Sequence, residues 1–354
     1  MPCLSCRNLY NSGYRGKEQM QRSYHTIDLM KMVAAILVVA IHSQPFSGMA
    51  EVVVINLFAR MAVPFFFMTS AFFFFRKPKE QQNWRLYVKR LAILYLFWFI
   101  IEIPITFLHA FIEPETSLGV NAITFVRNFF LGSTFSGSWF IMALMECVPL
   151  IFFLSRKISF RTLFMTGILL YVIVVLSTYY VALLPATFEQ MVAVYYKYLG
   201  HIEMTWMSAF IFCLIGKFIA EHETEIMKLK GINIMVGLFF ILALLEVFTV
   251  DSINPPIAND FYFMLVPLVG TLFVFFLKHE ICLPLDYIRL RAYSTIFYFS
   301  HFIFVFCFVL LNKHILPVNP LLKYNLVLFL CYLTAKGMYC FSKRKGYEWL
   351  RYGY

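Results

Sequence analysis

The sequence has few charged residues and no long polar stretches. Lys, Arg, Asp and Glu make up 14% of the 354 residues, and only 19 residues are acidic. Soluble proteins carry about 25% charged residues. Apolar residues account for 61% of the chain, which is more than globular cores of this length can bury behind a polar surface. This lack of polar surface excludes a soluble enzyme.

The sequence also lacks several motifs that are typical of soluble catalytic sites. It has no glycine-rich nucleotide-binding loop, no HExxH and no nucleophile elbow. Cys3 and Cys6 form a CxxC pair, but no second cysteine pair follows at the spacing of a zinc site. The sequence therefore predicts reduced thiols and no metal site.

Instead, the sequence contains ten apolar stretches separated by short polar breaks. A helix needs about 20 residues to cross the hydrocarbon core of a bilayer. We therefore predict an all-α integral membrane protein of about ten transmembrane helices. The predicted spans are 27–46, 53–75, 86–112, 138–154, 163–184, 203–220, 232–250, 261–277, 293–311 and 322–342.

The distribution of basic residues predicts the orientation of these spans. Of the 30 Lys and Arg residues, 23 lie in the two terminal segments and in alternate loops, and positively charged loops stay in the cytoplasm. Both termini are therefore predicted to be cytoplasmic. The net charge of +11 then reflects this orientation, and we expect no nucleic-acid partner.

Three parts are predicted along the chain. Residues 1–25 form a disordered basic cytoplasmic segment, 26–342 form a single transmembrane domain, and 343–354 form a short basic cytoplasmic tail. No small-residue cleavage site follows the start, so the first span is expected to be an uncleaved anchor. Met20 is an alternative start to Met1.

Three basic residues lie inside the first two predicted spans. An ionisable group in hydrocarbon costs at least about 2.5–3.5 kcal/mol on insertion scales, so each indicates a functional site. Lys31 and His42 are separated by three helical turns plus about 20° and share one face. Arg60 lies at a depth similar to that of His42. His42 is suited to act as a general base, and Arg60 to stabilise an oxyanion. Lys31 is suited to bind a donor that enters from the cytoplasm.

Four further residues complete the predicted site. Ser70 lies deeper in the second span and is assigned to the donor. Trp139 at the start of the fourth span, Glu146 within it and His301 in the ninth span are assigned to the acceptor. Trp139 is equally expected in an interfacial aromatic belt, and an intramembrane histidine often forms a hydrogen bond to another helix.

Two other intramembrane carboxyl groups are better explained as structural. Glu102 and Glu246 lie in the third and seventh predicted spans. We expect them to pair with Lys336 or with backbone groups rather than to take part in catalysis.

At these residues the sequence resembles a known family, the acyltransferase-3 family of ten-span membrane proteins. The first span is similar to that of the membrane domain of vancomycin-resistance serine racemases. The family pattern of Arg, ten residues and His appears here with Lys31 in place of Arg, which keeps the charge but loses bidentate recognition. The resemblance is carried by Lys31 to His42, Arg60 to Phe67, Ser70-Ala71-Phe72, Trp139-Phe140, Tyr298 and His301.

The resemblance implies a membrane O-acyltransferase. Such an enzyme transfers an acyl group, usually acetyl, from acyl-CoA to a hydroxyl of a cell-envelope saccharide or lipid-linked glycan. By this resemblance the protein is expected in the bacterial cytoplasmic membrane as a multi-pass protein. Its expected partners are the bilayer, a cytoplasmic acyl-CoA and the glycan acceptor. His42 is then the base, with Arg60 and Lys31 as electrostatic groups.

Two other functions are compatible with the sequence. A transporter or exporter of a small polar solute, such as serine, is suggested by the absence of a soluble catalytic motif and by the likeness to racemase membrane domains. A membrane scaffold, in which the buried charges only pair helices, is the other. Substrate uptake without an acyl donor indicates the transporter, whereas donor-dependent modification indicates the enzyme.

Overall fold

Helices form all of the regular structure in the part of the chain that the computed structural model describes, which is residues 24–108, 118–131, 134–253 and 260–354. The predicted all-α class is confirmed there. All but the last two positions of the predicted segment 1–25 lie outside the described residues. The main helices are α1 (His25–Ser43), α2 (Met49–Phe75), α3 (Trp84–Phe107), α4 (Leu118–Leu131), α5 (Ser138–Leu154), α6 (Phe160–Thr178), α7 (Ala186–Leu199), α8 (Trp206–Glu221), α9 (Ile232–Ile253), α10 (Leu265–Lys278), α11 (Tyr287–His314) and α12 (Pro320–Phe341).

Six of these helices, α1, α2, α3, α6, α9 and α11, are long and apolar enough to cross a membrane, and α5 and α10 are shorter apolar helices. Each of the ten predicted spans contains one of the main helices. The number of ten crossings and the cytoplasmic termini stay predictions. Helices α4 and α7 lie in segments that were predicted to be loops.

Several helix ends differ from the predicted bounds because local capping decides them. α1 ends at Ser43, since Gln44 adopts a left-handed conformation. α8 begins at Trp206 rather than at residue 203, because the Thr205 side chain accepts a hydrogen bond from the backbone N–H of Met207 at 3.3 Å. Hydropathy does not register such caps.

Helix α2 is irregular around Arg60. Residues Val52–Phe58 form π-helix and Ala59–Met61 form a 3₁₀ turn, after which regular α-helix runs over Ala62–Phe75. Pro64 lies in the first turn of that α-helix, where a residue without a backbone N–H costs few hydrogen bonds. π-Helical turns occur frequently at functional sites, and this one directly precedes the turn that carries Arg60.

The most extensive helix contacts are those of α2 with α8, of α1 with α11 and of α11 with α12. At the first of these contacts, a Cβ on Gly216 of α8 would lie 3.2 Å from the Cα of Met68. The two backbones therefore approach closely only because residue 216 is glycine. Small residues allow this kind of packing between membrane helices.

The surface of the helix bundle is apolar. On α9, Ile234, Leu238, Ile241 and Leu245 are all exposed, with exposed fractions of 52 to 77%. Their spacing places them on one face of the helix. A contiguous exposed apolar stripe of this length is suited to hydrocarbon rather than to water.

The segment predicted as a short basic tail, 343–354, folds back onto the bundle. Glu348–Gly353 form a 3₁₀ turn that packs against α3 and α12. The indole Nε1 of Trp98 donates a hydrogen bond to the carbonyl oxygen of Gly353 at 3.0 Å. A buried indole N–H needs such a partner, so this end of the chain completes the packing of α3.

Candidate functional site

A cavity of about 970 Å³ contains His42. We call it the histidine cavity. Residues of α1, α2, α3, α4, α5 and α11 line it, together with the segments that precede α8 and α10. Three of the residues predicted for the site, His42, Arg60 and Trp139, line this cavity.

The His42 side chain is exposed to the histidine cavity. Its ring packs against Phe302, with 4.5 Å between the ring centroids. No described residue forms a hydrogen bond with either ring nitrogen. A nitrogen of the imidazole is thus available to accept a proton from a molecule in the cavity.

Arg60 lies at the same cavity and is held by an ion pair. Its Nη1 donates a hydrogen bond to Oδ1 of Asp260, and its buried Nε has no hydrogen-bond partner. Asp260 lies in the segment before α10, 200 positions along the chain, and no local sequence signal links it to Arg60. The pair orients the guanidinium, and its remaining N–H groups are donors for a ligand.

His301 lies behind His42 rather than in the cavity lining. It is fully buried, and the centroids of the two histidine rings are 5.3 Å apart. Its Nδ1 donates to the carbonyl oxygen of Phe297 at 3.0 Å, and its Nε2 has no hydrogen-bond partner among the described residues. The structure therefore brings His301 to His42 but gives it no surface in either cavity described here.

Glu146 is not brought to the site. It lies on an exposed face of α5 and lines neither of the two cavities. The depth of Glu146 decides this, because seven residues are nearly two helical turns and place Glu146 about 10 Å further along the helix axis than Trp139. The predicted role of Glu146 in acceptor binding receives no support from this placement.

A second cavity of about 370 Å³ contains Lys31 and Ser70, and we call it the lysine cavity. Lys77 also lines it, and most of its remaining wall is aromatic or aliphatic. The Ser70 hydroxyl lies 2.8 Å from the hydroxyl of Tyr87, in a hydrogen bond. Lys31 and His42 therefore lie in different cavities, since they are 11 residues apart in sequence, which corresponds to about 16 Å along the helix.

Tyr298 of α11 lines both cavities. Its ring packs edge-on against Phe66 of α2 at 5.8 Å and contacts Phe140 of α5 at 5.3 Å. Its hydroxyl donates to the carbonyl oxygen of Gly137 at 3.4 Å. The two cavities are thus neighbours with one aromatic side chain in their common wall.

Helix α4 adds a polar wall to the histidine cavity. Asn121, Thr124 and Asn128 line the cavity, whereas Ile123 and Val126 of the same helix are exposed. This helix was not predicted from the sequence, because its apolar face is short. Its amphipathic pattern is the signal that could have found it.

A second histidine lies between α7 and α8 at the histidine cavity. Nδ1 of His201 lies 2.9 Å from Oε1 of Glu203, and Oε2 of Glu203 accepts a hydrogen bond from the Tyr196 hydroxyl at 2.9 Å. The hydrogen bond to the Glu203 carboxylate raises the pKa of His201, against the opposing effect of its partial burial. Glu203 had been assigned only as the start of a span.

The two carboxyl groups expected to be structural differ in their surroundings. Glu246 accepts hydrogen bonds from the backbone N–H groups of Phe263 and Met264, both at 2.7 Å, so its expected backbone role is confirmed. Glu102, by contrast, lines the histidine cavity, and its buried Oε1 forms no hydrogen bond with the part of the chain that the structure describes. It forms no ion pair with Lys336 in the structure.

Comparison with known proteins identifies a family. The acyltransferase domain family matches residues 24–336 of the chain. An amino-acid racemase from Enterococcus faecalis is 25% identical over 259 residues, which cover 71% of this chain and 35% of the racemase. Another amino-acid racemase from the same organism is 30% identical over 152 residues, which cover 40% of this chain and 21% of the racemase.

The chain thus matches about a third of the first racemase and a fifth of the second. No solved structure matches it. The family match extends over all the helices that line the two cavities, from α1 to α11. The chain belongs to the acyltransferase-3 family of multi-pass membrane proteins.

Proposed function

We propose that the chain transfers an acyl group, in the first instance acetyl, from acyl-CoA in the lysine cavity to a hydroxyl group in the histidine cavity. The observation that carries this proposal is the position of Tyr298, which lines both cavities. Donor and acceptor can therefore approach from two directions and meet at one side chain.

The lysine cavity is suited to the donor. Lys31 and Lys77 supply positive charge for the phosphates of a coenzyme A derivative. The aromatic and aliphatic wall, which includes Phe66 and Phe140, is suited to the thioester arm and the acyl chain. Ser70 and Tyr87 add hydroxyl groups close to this arm.

His42 is suited to deprotonate the acceptor. In the proposed step, its free ring nitrogen takes the proton of the acceptor hydroxyl, whose oxygen attacks the carbonyl carbon of the thioester. A carbon–oxygen bond forms, the carbon–sulfur bond breaks, and the departing thiolate takes up the proton to give coenzyme A. Arg60 stabilises the negative charge that develops on the carbonyl oxygen.

The histidine cavity is suited to a polar acceptor such as a saccharide. Neutral hydrogen-bonding side chains line one side of it, supplied by Asn121, Thr124 and Asn128 of α4. The orientation predicted from the distribution of basic residues supports a position of this cavity toward the outer side of a bacterial cytoplasmic membrane. A cell-envelope saccharide or lipid-linked glycan would reach it there.

The test is replacement of His42 by Ala. Membranes containing the variant and supplied with radiolabelled acetyl-CoA should transfer label to the glycan fraction at least about 100-fold more slowly than wild type. His279→Ala is the matched control, because His279 is exposed and lines neither cavity. Full transfer by folded, inserted His42→Ala protein would contradict the assignment.

Transport of a small polar solute is the second candidate. Transport is favoured by one feature of the structure: the two cavities lie on either side of one aromatic side chain, Tyr298. Serine uptake by sealed vesicles in the absence of any acyl donor would support transport. Label transfer that depends on acetyl-CoA would support the enzyme.

A further inference from the structure

One carboxyl group at the histidine cavity has no role in the proposed chemistry. Tyr95, Trp98, Glu102 and Thr106 form the buried face of α3, at helical spacing. The opposite face, which includes Ile100, is exposed. Helix α3 therefore turns Glu102 inward, toward the cavity that contains His42.

Glu102 is buried and has no partner. Its exposed fraction is 1%, and its Oε1 forms no hydrogen bond with any described residue. The next turn of α3 places Thr106 at the same cavity. A buried carboxyl group without a partner destabilises a protein, so its presence at a cavity wall indicates that a ligand supplies the partner.

Each of the other charged groups of the described cavity lining has at least one ion-pair or hydrogen-bond partner. Arg127 donates hydrogen bonds to the side-chain oxygen of Asn128 and to two backbone carbonyl oxygens. The remaining groups form two pairs between opposite charges: Arg60 with Asp260, and His201 with Glu203. Glu102 is the carboxyl group of the described cavity lining that lacks a cation.

We propose that Glu102 binds a primary ammonium group of the acceptor. The acceptor would then be a hydroxyl compound that carries an amino group, such as an amino sugar or a hydroxy amino acid. An ammonium group supplies both a hydrogen bond and the positive charge that stabilises the ionised carboxylate, whereas a neutral hydroxyl supplies only the hydrogen bond. This inference rests on the proposed function and names the class of its acceptor.

The arrangement also orients the acceptor. Glu102 on α3 and His42 on α1 line the same cavity from different helices. A ligand held by its ammonium group at Glu102 keeps a hydroxyl group free for His42. Glu102 thus selects and positions the acceptor, while the proton transfer belongs to His42.

Binding to the purified full chain in detergent, without any acyl donor, tests the proposal. Two pairs of tritiated probes are compared, glucosamine with glucose and serine with glycerate. Within each pair, one compound has an ammonium group where the other has a hydroxyl group. The wild type should bind the ammonium member of at least one pair about tenfold more tightly or better. The pair that shows the preference distinguishes an amino sugar from an amino acid.

Glu102→Gln is the diagnostic variant, since it keeps the shape and hydrogen bonding but removes the charge. It should lose the preference for the ammonium probe. Glu146→Gln, which removes a carboxyl group outside both cavities, should retain it. Three results would overturn the proposal. The wild type could bind both members of each pair equally, it could show no saturable binding of either ammonium probe, or the preference could persist in Glu102→Gln. Because no acyl donor is present, these results stand whether or not acyl transfer is observed.

Discussion

At the scale of single residues, the polar groups of the histidine cavity divide into those held by partners and those left available. Arg60 is held by Asp260, and His201 is held by Glu203. His42 keeps both ring nitrogens free of the described residues. Fixed charges around an unpartnered base are the arrangement that electrostatic preorganisation requires.

The His201–Glu203 pair predicts a pH dependence of stability. Because the pKa of His201 is raised in the folded state, the pair contributes fully below the unfolded pKa of 6.5 and is lost as pH rises through the higher folded value. The unfolding temperature of wild type should exceed that of His201→Gln most at about pH 5.5 and least at about pH 9. The difference should be small, since the imidazole is 56% exposed.

Thermal unfolding in detergent across this pH range measures the effect. Glu203→Gln should remove the same pH-dependent contribution, because it removes the carboxylate that holds the proton on His201. A difference between wild type and His201→Gln that stays constant with pH would show that the pair is not charged in the folded protein.

At the scale of helices, the site depends on irregular and closely packed elements. The π-helical and 3₁₀ stretch of α2 precedes the regular helix that carries Ser70. That regular helix packs on α8, with Gly216 against the backbone of Met68. The contact between α2 and α8 therefore fixes the helix that supplies residues to both cavities.

We predict that Gly216→Ala destabilises the protein. The new methyl group would overlap the backbone of Met68, and overpacking of this kind costs about 1–3 kcal/mol. The unfolding temperature in detergent should fall by several degrees. Gly237→Ala in α9 is the matched control, because a Cβ there meets no atom within 4 Å. Equal unfolding temperatures of the two variants would show that α2 and α8 can separate without cost.

At the scale of the whole molecule, the proposed reaction depends on the wall that the two cavities share. Helices α1, α2, α3, α5 and α11 contribute residues to both cavities. Tyr298 lies in the wall between them, packed against Phe66 and Phe140. Exclusion of water from the thioester depends on this packing, since water competes with the acceptor hydroxyl.

The proposed reaction brings the acceptor hydroxyl to the thioester beside Tyr298, and we predict that Tyr298→Ala widens this opening and admits water. In the absence of an acceptor, the variant should release coenzyme A from acetyl-CoA severalfold faster than wild type, because water reaches the thioester. Tyr298→Phe should remain close to wild type, since it keeps the ring and loses only the hydrogen bond to Gly137 at 3.4 Å. Coenzyme A release that is unchanged in folded Tyr298→Ala protein would show that Tyr298 does not separate the cavities.

The sequence by itself determined the helical membrane class and most of the residues at the cavities. Apolar runs and intramembrane charges are local signals in a sequence. Five cavity residues could therefore be predicted from their positions within the predicted spans: Lys31, His42, Arg60, Ser70 and Trp139. The two cavities contain all five. The energetic cost of a charge in hydrocarbon is what makes such residues visible in a sequence.

Only the tertiary structure decided how these residues are grouped. It separated Lys31 from His42 by Tyr298, paired Arg60 with Asp260, and placed Glu102 at the cavity. It also left Glu146 outside both cavities. These outcomes depend on helices that meet across long sequence separations, and on irregular turns such as that at Arg60, and neither leaves a periodic signal in the sequence.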